Sequence, residues 1–306
     1  MNLLPWASVL VLPLLLVLGI YCWAPAWLLD GAMALARWKV GLRSFCVDVG
    51  ADSWAYLDSG GDGDPIVLVH GYASNKESWL AVAGFLKGRG FRLLIPDLPG
   101  FGQSPAVADG EYGVATQAER LRGFIQTLQL GPVHLIGHSM GGYVAGAYVG
   151  LYPQDLLSTY LVAPAGVNGG LPPLLQEKAQ VESRNPLFVD SVQSFHRTMA
   201  LAMVKPPRVP SQWIKVIVAR EVPHRALRQL QTGFWFSDPL EHMLRGCRVS
   251  LRLCWGEQDQ VLPVAGAQVL LNAMPSASLK RLPGVGHMPL VEAPKRLAQD
   301  YLSFIS

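Results

Sequence analysis

At 306 residues the chain is long enough for one large α/β domain that carries an insertion, and we expect one core rather than two equal domains. Half of the residues are apolar, only 15% are charged and the mean hydropathy is +0.26. These values are high for a soluble enzyme and suggest that part of the chain meets lipid. The formal net charge is +3, and we expect no nucleic-acid partner.

The apolar excess lies at the N-terminus. Residues 2–29 (NLLPWASVLVLPLLLVLGIYCWAPAWLL) contain no charged residue, and as a helix they would span about 42 Å at about 1.5 Å per residue, more than the roughly 30 Å of a bilayer core. No Lys or Arg precedes the run, and a cleavage-like site, Ala24-Pro25-Ala26, comes late in it. We predict a transmembrane anchor over residues 1–29, with a cleaved signal peptide and a buried hairpin left open as alternatives.

Basic residues follow the predicted anchor but do not precede it. By the positive-inside rule, Arg37, Lys39 and Arg43 favour a single-pass protein whose folded domain lies on the cytoplasmic face of the membrane. The anchors of two copies could pair as a homodimer, although Gly19 alone makes no small-residue packing motif.

Beyond a juxtamembrane segment (residues 30–50), strand-like and helix-like segments alternate. The run SWAYLDSG indicates an edge strand. Short apolar runs typical of strands buried on both faces follow, at residues 65–71, 92–97, 133–139, 158–166 and 250–256. Helical patterns separate several of these runs, so the sequence predicts an α/β fold with a mostly parallel, doubly wound sheet.

The alternation breaks between residues 167 and 246, where helical spacing is interrupted by prolines. We predict that this stretch is a helical cap over the carboxyl edge of the sheet. It would divide one core into a first part, residues 51–166, and a second part, residues 247–306.

The pentapeptide Gly137-His138-Ser139-Met140-Gly141 follows a buried strand and precedes a helical pattern. It matches G-x-S-x-G, in which a tight strand-to-helix turn exposes a strained serine and glycines avoid clashes with neighbouring chain. The pentapeptide by itself also fits a serine that only begins a helix.

A nucleophilic serine needs a base, and the base needs an orienting acid. Asp259 stands in WGEQDQVLP after the next strand, and His287 stands in LPGVGHMP after a further short strand, SLKRL. The order Ser, Asp, His makes Ser139, Asp259 and His287 the predicted catalytic residues. Glu257 is the alternative acid, whereas we expect Asp97 to hold its own loop by hydrogen bonds to the backbone.

Two backbone amides are candidates for an oxyanion hole, the donors that stabilise negative charge in a tetrahedral intermediate. The N–H of Met140 lies at the start of the helix after the serine. The N–H of Tyr72 lies in HGYASNKESW, directly after an early strand. An ordinary strand-ending turn is the alternative for His70-Gly71.

Residues 51–306 resemble the α/β-hydrolase superfamily, on the motifs HGYASNKESW, PDLPGFGQS, GHSMGG, WGEQDQVLP and GHMP in that order. With the N-terminal anchor, the chain looks most like the membrane-anchored monoacylglycerol lipases and the bacterial membrane-bound phospholipases and lysophospholipases. The resemblance implies an α/β-hydrolase fold, hydrolysis of carboxylic esters of lipids through an acyl-serine, and no metal or organic cofactor. An anchored esterase or amidase for small soluble substrates stays open as the alternative.

Overall fold

The computed structural model describes residues 19–168, 187–231 and 238–306. Its centre is an eight-stranded sheet with the order β1-β2-β4-β3-β5-β6-β7-β8. The strands are β1 (Arg43–Val49), β2 (Asp52–Asp58), β3 (Asp64–Val69), β4 (Phe91–Pro96), β5 (Val133–His138), β6 (Leu156–Val162), β7 (Leu251–Gly256) and β8 (Ser278–Leu282).

The pairing of β3 to β8 explains their composition. All neighbours from β4 to β8 pair in parallel, and β1 and β2 pair antiparallel to each other and β2 to β4. Strands in the middle of a parallel sheet are covered on both faces, which is why β5 is buried along its whole length. The predicted α/β fold with a mostly parallel sheet is confirmed.

The edge of the sheet differs from the prediction. The SWAYLDSG run forms β2, which is paired on both sides, and the edge strand is β1, in the segment expected to be juxtamembrane. β1 is largely exposed and carries no continuous apolar run, so its sequence (RSFCVDV) offered little strand pattern. The prediction of an edge strand at SWAYLDSG was therefore wrong.

Helices cover both faces of the sheet. They are α1 (Pro25–Lys39), α2 (Leu80–Leu86), α3 (Val114–Thr127), α4 (Met140–Leu151), α5 (Val192–Ala202), α6 (Ser211–Glu221), α7 (Arg225–Gln231), α8 (Leu240–Met243), α9 (Gly266–Ala273), α10 (Pro289–Glu292) and α11 (Pro294–Ile305). Short 3-10 helices lie at Lys76–Trp79, Pro153–Asp155 and Val222–His224. One apolar core packs α3, α4 and α9 on one face of the sheet, and a second packs α2 and α11 on the other.

The predicted cap (residues 167–246) contains helices α5, α6, α7 and α8 in its described part, all of them between β6 and β7. Ala202 and Met203, at the end of α5, join the core that packs α3 and α4. The end of α5 is therefore packed against this core.

The N-terminal region is described only from residue 19. Residues 19–23 are helical, Ala24 has non-helical backbone angles (φ −139°, ψ 53°), and α1 begins at Pro25. Within the described residues, no helix has the length and apolar character that a bilayer span requires. Residues 1–18, most of the predicted anchor, lie outside the described residues.

Candidate active site

Ser139 lies at a sharp turn between β5 and α4. Its backbone has φ 54° and ψ −118°, a conformation that costs a non-glycine residue about 1 to 3 kcal/mol. A Cβ on Gly137 would overlap the carbonyl oxygen of Gly141, and a Cβ on Gly141 would overlap that of His70. The glycines are therefore required by close packing of the turn against neighbouring backbone.

The position of Ser139 at the start of α4 does not make its side chain a helix cap. Its hydroxyl accepts no hydrogen bond from the first turn of α4. Instead, Ser139 Oγ lies 3.0 Å from His287 Nε2. Its backbone N–H and C=O are both bonded, to Val162 and to Tyr143 and Ala165, which leaves the hydroxyl directed at the histidine.

The structure brings together the three predicted catalytic residues, and all three are buried. His287 Nδ1 lies 2.8 Å from Asp259 Oδ2, on the other side of the ring from Ser139. A carboxylate accepts and does not donate, so Nδ1 carries the proton and Nε2 is free to accept from the serine hydroxyl. The other carboxylate oxygen of Asp259 accepts from the N–H groups of Val261 and Leu262, which fixes its position.

The alternative acid does not take this place. Glu257 is exposed, and the carboxylate that contacts His287 is that of Asp259. The two residues stand on the same loop after β7, but Asp259 is the one turned under the protein surface.

The loop that carries His287 is held from several sides. The His287 N–H donates to Ala202 O in the predicted cap, and His138 Nε2 donates to His287 O at 2.8 Å. Glu292 accepts from the N–H of Gly286 with one oxygen and from the N–H of Val204 with the other. The imidazole is thereby positioned by the core and by the cap together.

Two further histidines near the site are buried and uncharged. Burial, with a smaller contribution from the neighbouring His287, lowers the pKa of His138 to about 3. Burial also lowers the pKa of His70. His70 Nε2 accepts from the Leu98 N–H and Nδ1 donates to Gly71 O, so a neutral imidazole joins two loops.

The predicted oxyanion donors belong to the residue after Ser139 and to a loop that passes beside it. Met140 is the first residue of α4, where helix geometry offers its N–H no partner. A Cβ on Gly71 would lie 3.2 Å from Ser139 Cβ, so the loop that carries Tyr72 passes directly beside the serine. Ala73, the next residue, has φ 50°, which turns this loop sharply.

A buried ion pair fixes the end of the loop that carries Tyr72. Lys76 Nζ lies 2.5 Å from Asp97 Oδ2 and donates to Gln103 Oε1 at 2.8 Å, and both charged side chains are almost fully buried. Asp97 also accepts from the N–H groups of Lys76 and Gln103. The predicted backbone hydrogen bonds of Asp97 are confirmed, and its pairing with a lysine was not foreseen.

The predicted cap touches the same loop through Arg228, a buried residue of α7. Tyr72 Oη donates to Arg228 O at 2.8 Å. The Arg228 guanidinium donates to Gly100 O and to Glu221, and it stacks over the ring of Phe101 at 4.6 Å. The side chain of the residue that carries a predicted oxyanion donor is therefore bonded to the cap.

Sequence reasoning missed several residues that position the site, namely His70, His138, Lys76, Arg228 and Glu292. His138 lies inside the pentapeptide, and a histidine directly before the serine could have indicated a residue that positions the site. Lys76, Arg228 and Glu292 each have a partner that is distant in sequence. These partners are Asp97, Gly100 and Val204, at separations of 21, 128 and 88 residues, so no local pattern indicates the contacts.

Lys76→Met tests the buried ion pair. It should lower the free energy of unfolding by about 3 to 5 kcal/mol, because Asp97 would stay buried without its cation. Lys295→Met, at an exposed lysine on α11, is the matched control and should change it by less than about 0.5 kcal/mol. Urea unfolding of the full chain in detergent micelles measures both, and equal small losses would contradict a structural role for the pair.

The lowered pKa of His138 predicts a dependence of stability on pH. The unfolded chain takes up a proton near pH 6.5 and the folded chain only near pH 3, so the stabilisation is complete above pH 6.5 and is lost as the pH falls. At pH 5 this one group should cost about 2 kcal/mol.

His138→Gln removes the titrating group, and its amide can still donate where Nε2 does. The difference in unfolding free energy between pH 7.5 and pH 5 should shrink by about 2 kcal/mol relative to the unchanged chain. Urea titrations at the two pH values measure it. Parallel pH profiles for both proteins would refute the assignment of a buried neutral imidazole.

Comparisons with known proteins show the family of the chain. Residues 66–300 match the alpha/beta hydrolase family. Lipase 3 of Moraxella sp. (strain TA144) is 34% identical over 248 residues, which cover 79% of this chain and 77% of that protein. Monoacylglycerol lipase ABHD6 of Homo sapiens is 30% identical over 254 residues, covering 79% of this chain and 75% of that protein.

A solved structure is similar over nearly the whole chain. The crystal structure of a membrane phospholipase A, described as a novel bacterial virulence factor, has a TM-score of 0.87 and 31% identity, covering 98% of this chain and 97% of that chain. Because the family match extends over most of the sheet and includes Ser139, Asp259 and His287, the chain belongs to the alpha/beta hydrolase family.

Proposed function

We propose that the chain is a membrane-anchored serine hydrolase that cleaves carboxylic esters of lipids, such as a monoacylglycerol, a lysophospholipid or a phospholipid. The observation that supports the serine mechanism is the pair of hydrogen-bond contacts from Ser139 Oγ to His287 and from His287 to Asp259. The substrate class is supported by the similar proteins, which are named as a lipase, a monoacylglycerol lipase and a membrane phospholipase A.

The reaction begins with attack of Ser139 Oγ on the ester carbonyl while His287 Nε2 takes the hydroxyl proton. The N–H groups of Tyr72 and Met140 stabilise the negative oxygen of the tetrahedral intermediate, each by about 3 to 4 kcal/mol. His287 then gives its proton to the leaving alcohol, and an acyl-serine remains. Water attacks this ester with His287 as base, which releases the fatty acid and restores the serine.

Asp259 orients the histidine throughout this cycle. Its carboxylate, fixed by two backbone N–H groups, keeps the proton on His287 Nδ1 and stabilises the imidazolium that forms during attack. The same carboxylate keeps Nε2 directed at the serine.

The attachment to the membrane rests on the uncharged residues 2–29, which we propose as a transmembrane anchor, and the basic residues after it favour the cytoplasmic face. The proposed domain boundaries are an anchor (1–29), a juxtamembrane segment (30–50) whose strand β1 joins the sheet, a core in two parts (51–166 and 247–306) and a cap (167–246).

Ser139→Ala tests the function directly. The variant should lose at least about 10⁴-fold in kcat on lipid esters, because no acyl-enzyme can form. Mass spectrometry of the products from membrane lipids, with the unchanged chain and the variant, identifies any ester that only the serine form cleaves. Ser303→Ala, at an exposed serine on α11, is the control.

Two results would contradict the proposal. If the unchanged chain cleaves only short soluble esters or amides, the alternative substrate class replaces lipids. If Ser139 is not labelled by a fluorophosphonate in the folded protein, the serine mechanism itself is wrong.

Asp259→Asn and Glu257→Gln compare the two acids on one loop. The first should lower kcat about 10⁴-fold, because an amide holds the imidazole in the wrong tautomer, whereas the second should leave kcat within about twofold. Steady-state hydrolysis of one lipid ester by both variants measures the difference. A larger loss from Glu257→Gln would assign the role of the acid to Glu257.

A further inference from the structure

Helix α1 presents an apolar surface to its surroundings rather than to the core. Its outward residues recur at helical spacing, and we call them the tryptophan face: Trp27, Gly31, Ala34, Leu35 and Trp38. Trp27 is 79% exposed and Trp38 is 75% exposed, values that no other tryptophan in the described residues reaches except Trp23 at 91%.

The opposite side of α1 is apolar as well. Leu29 is buried, and Ala36 and Val40 pack against the core that contains α2 and α11. A helix on a water-exposed protein surface turns polar residues outward, whereas α1 is apolar on both of these sides and carries its charged residues, Asp30, Arg37 and Lys39, between them. The outward face of α1 therefore needs an apolar or interfacial partner.

The neighbouring chain points to a lipid bilayer as that partner. The uncharged stretch of residues 2–29 runs directly into α1. Pro25 disfavours a helical conformation at Ala24, so α1 begins as a separate helix and need not continue the direction of the chain before it. A chain whose bilayer span ends near residue 23, inside the proposed anchor (1–29), can thus turn at Ala24 and lie along the headgroups.

The residue types fit the headgroup region. Tryptophan is enriched at membrane interfaces, where one part of its ring meets lipid and the N–H meets water. Lys39 and Arg43 are exposed beside the end of α1 and suit anionic headgroups. Asp30 is the one acid on α1. Its two carboxylate oxygens accept hydrogen bonds from the Arg220 guanidinium, which offsets its charge.

We propose that the tryptophan face lies in the headgroup region of the bilayer and sets the height of the active site above the membrane. This inference rests on the proposed membrane attachment and adds a second, interfacial contact to the anchor. A helix of this kind buries its apolar face by about 5 to 10 Å.

The contacts of α1 show what such docking would hold in place. Cap helix α6 packs against α1, and Arg220 of α6 forms the ion pair with Asp30. Arg37 of α1 pairs with Glu77, which adjoins the buried Lys76 at the end of the loop that carries Tyr72. Docking of α1 therefore brings the cap beside the lipid from which an ester substrate must come.

The double variant Trp27→Ala/Trp38→Ala tests this surface in the full chain, reconstituted in vesicles of phosphatidylcholine and phosphatidylglycerol. The control is Leu151→Ala/Leu157→Ala, which removes two exposed leucines from α4 and β6. The first measurement is quenching of tryptophan fluorescence by phosphatidylcholine brominated near the headgroup. The unchanged chain and the control should show a larger quenched fraction than the double variant, in which Trp23 remains.

The second measurement compares two substrates. For the double variant, kcat/KM on lipid in the vesicles should fall about fivefold or more, whereas hydrolysis of a soluble short-chain ester should stay within about twofold. The control should keep both activities.

The outcomes separate this inference from the proposed function. Equal quenching in the unchanged chain and the double variant would overturn docking. Docking would also be overturned if the double variant changed its oligomeric state and not its quenching, since the face would then bind a second copy. Absence of lipid cleavage by the unchanged chain would refute the proposed function, while the quenching result would still decide whether the face meets lipid.

Discussion

The turn at Ser139 is the constraint on which the site depends. A non-glycine residue with φ 54° is held there because β5, α4 and the loop after β3 pack closer than any side chain at Gly137 or Gly141 would allow. The parallel sheet places the other loops of the site, because the carboxyl ends of β3, β5, β7 and β8 meet at one edge. Loops that are far apart in sequence, bearing Tyr72, Asp259 and His287, are thereby delivered to one serine.

A layer of buried polar contacts fixes these loops. His70 joins the loops after β3 and β4, His138 holds the backbone of His287, and Lys76 and Asp97 close the loop that carries Tyr72. Both histidines stay neutral because burial lowers their pKa, so they can act as fixed donors and acceptors without bringing positive charge beside His287. Satisfied networks of this kind make loops rigid, which acyl transfer requires of its donors and base.

Two segments outside the core, the predicted cap and helix α1, contact the surroundings of the site. The predicted cap reaches Tyr72 through Arg228 and the His287 loop through Ala202. Helix α1 reaches the cap through Asp30 and the segment after Tyr72 through Arg37. The N-terminal helix and the predicted cap therefore contact each other, and both contact loops that carry or adjoin residues of the site.

The sequence by itself determined the class of the sheet and the identity of the candidate site. Apolar runs reveal strands buried on both faces, and the G-x-S-x-G turn with Asp259 and His287 in chain order depends only on local spacing and on order. Strand β1 was not predicted, because this exposed edge strand has no continuous apolar run. The pairing of Lys76 with Asp97, the contact of Tyr72 with Arg228 and the outward direction of Trp27 and Trp38 were decided only by the tertiary structure. Each of these depends on which distant segment lies alongside, and no local pattern in a chain records that.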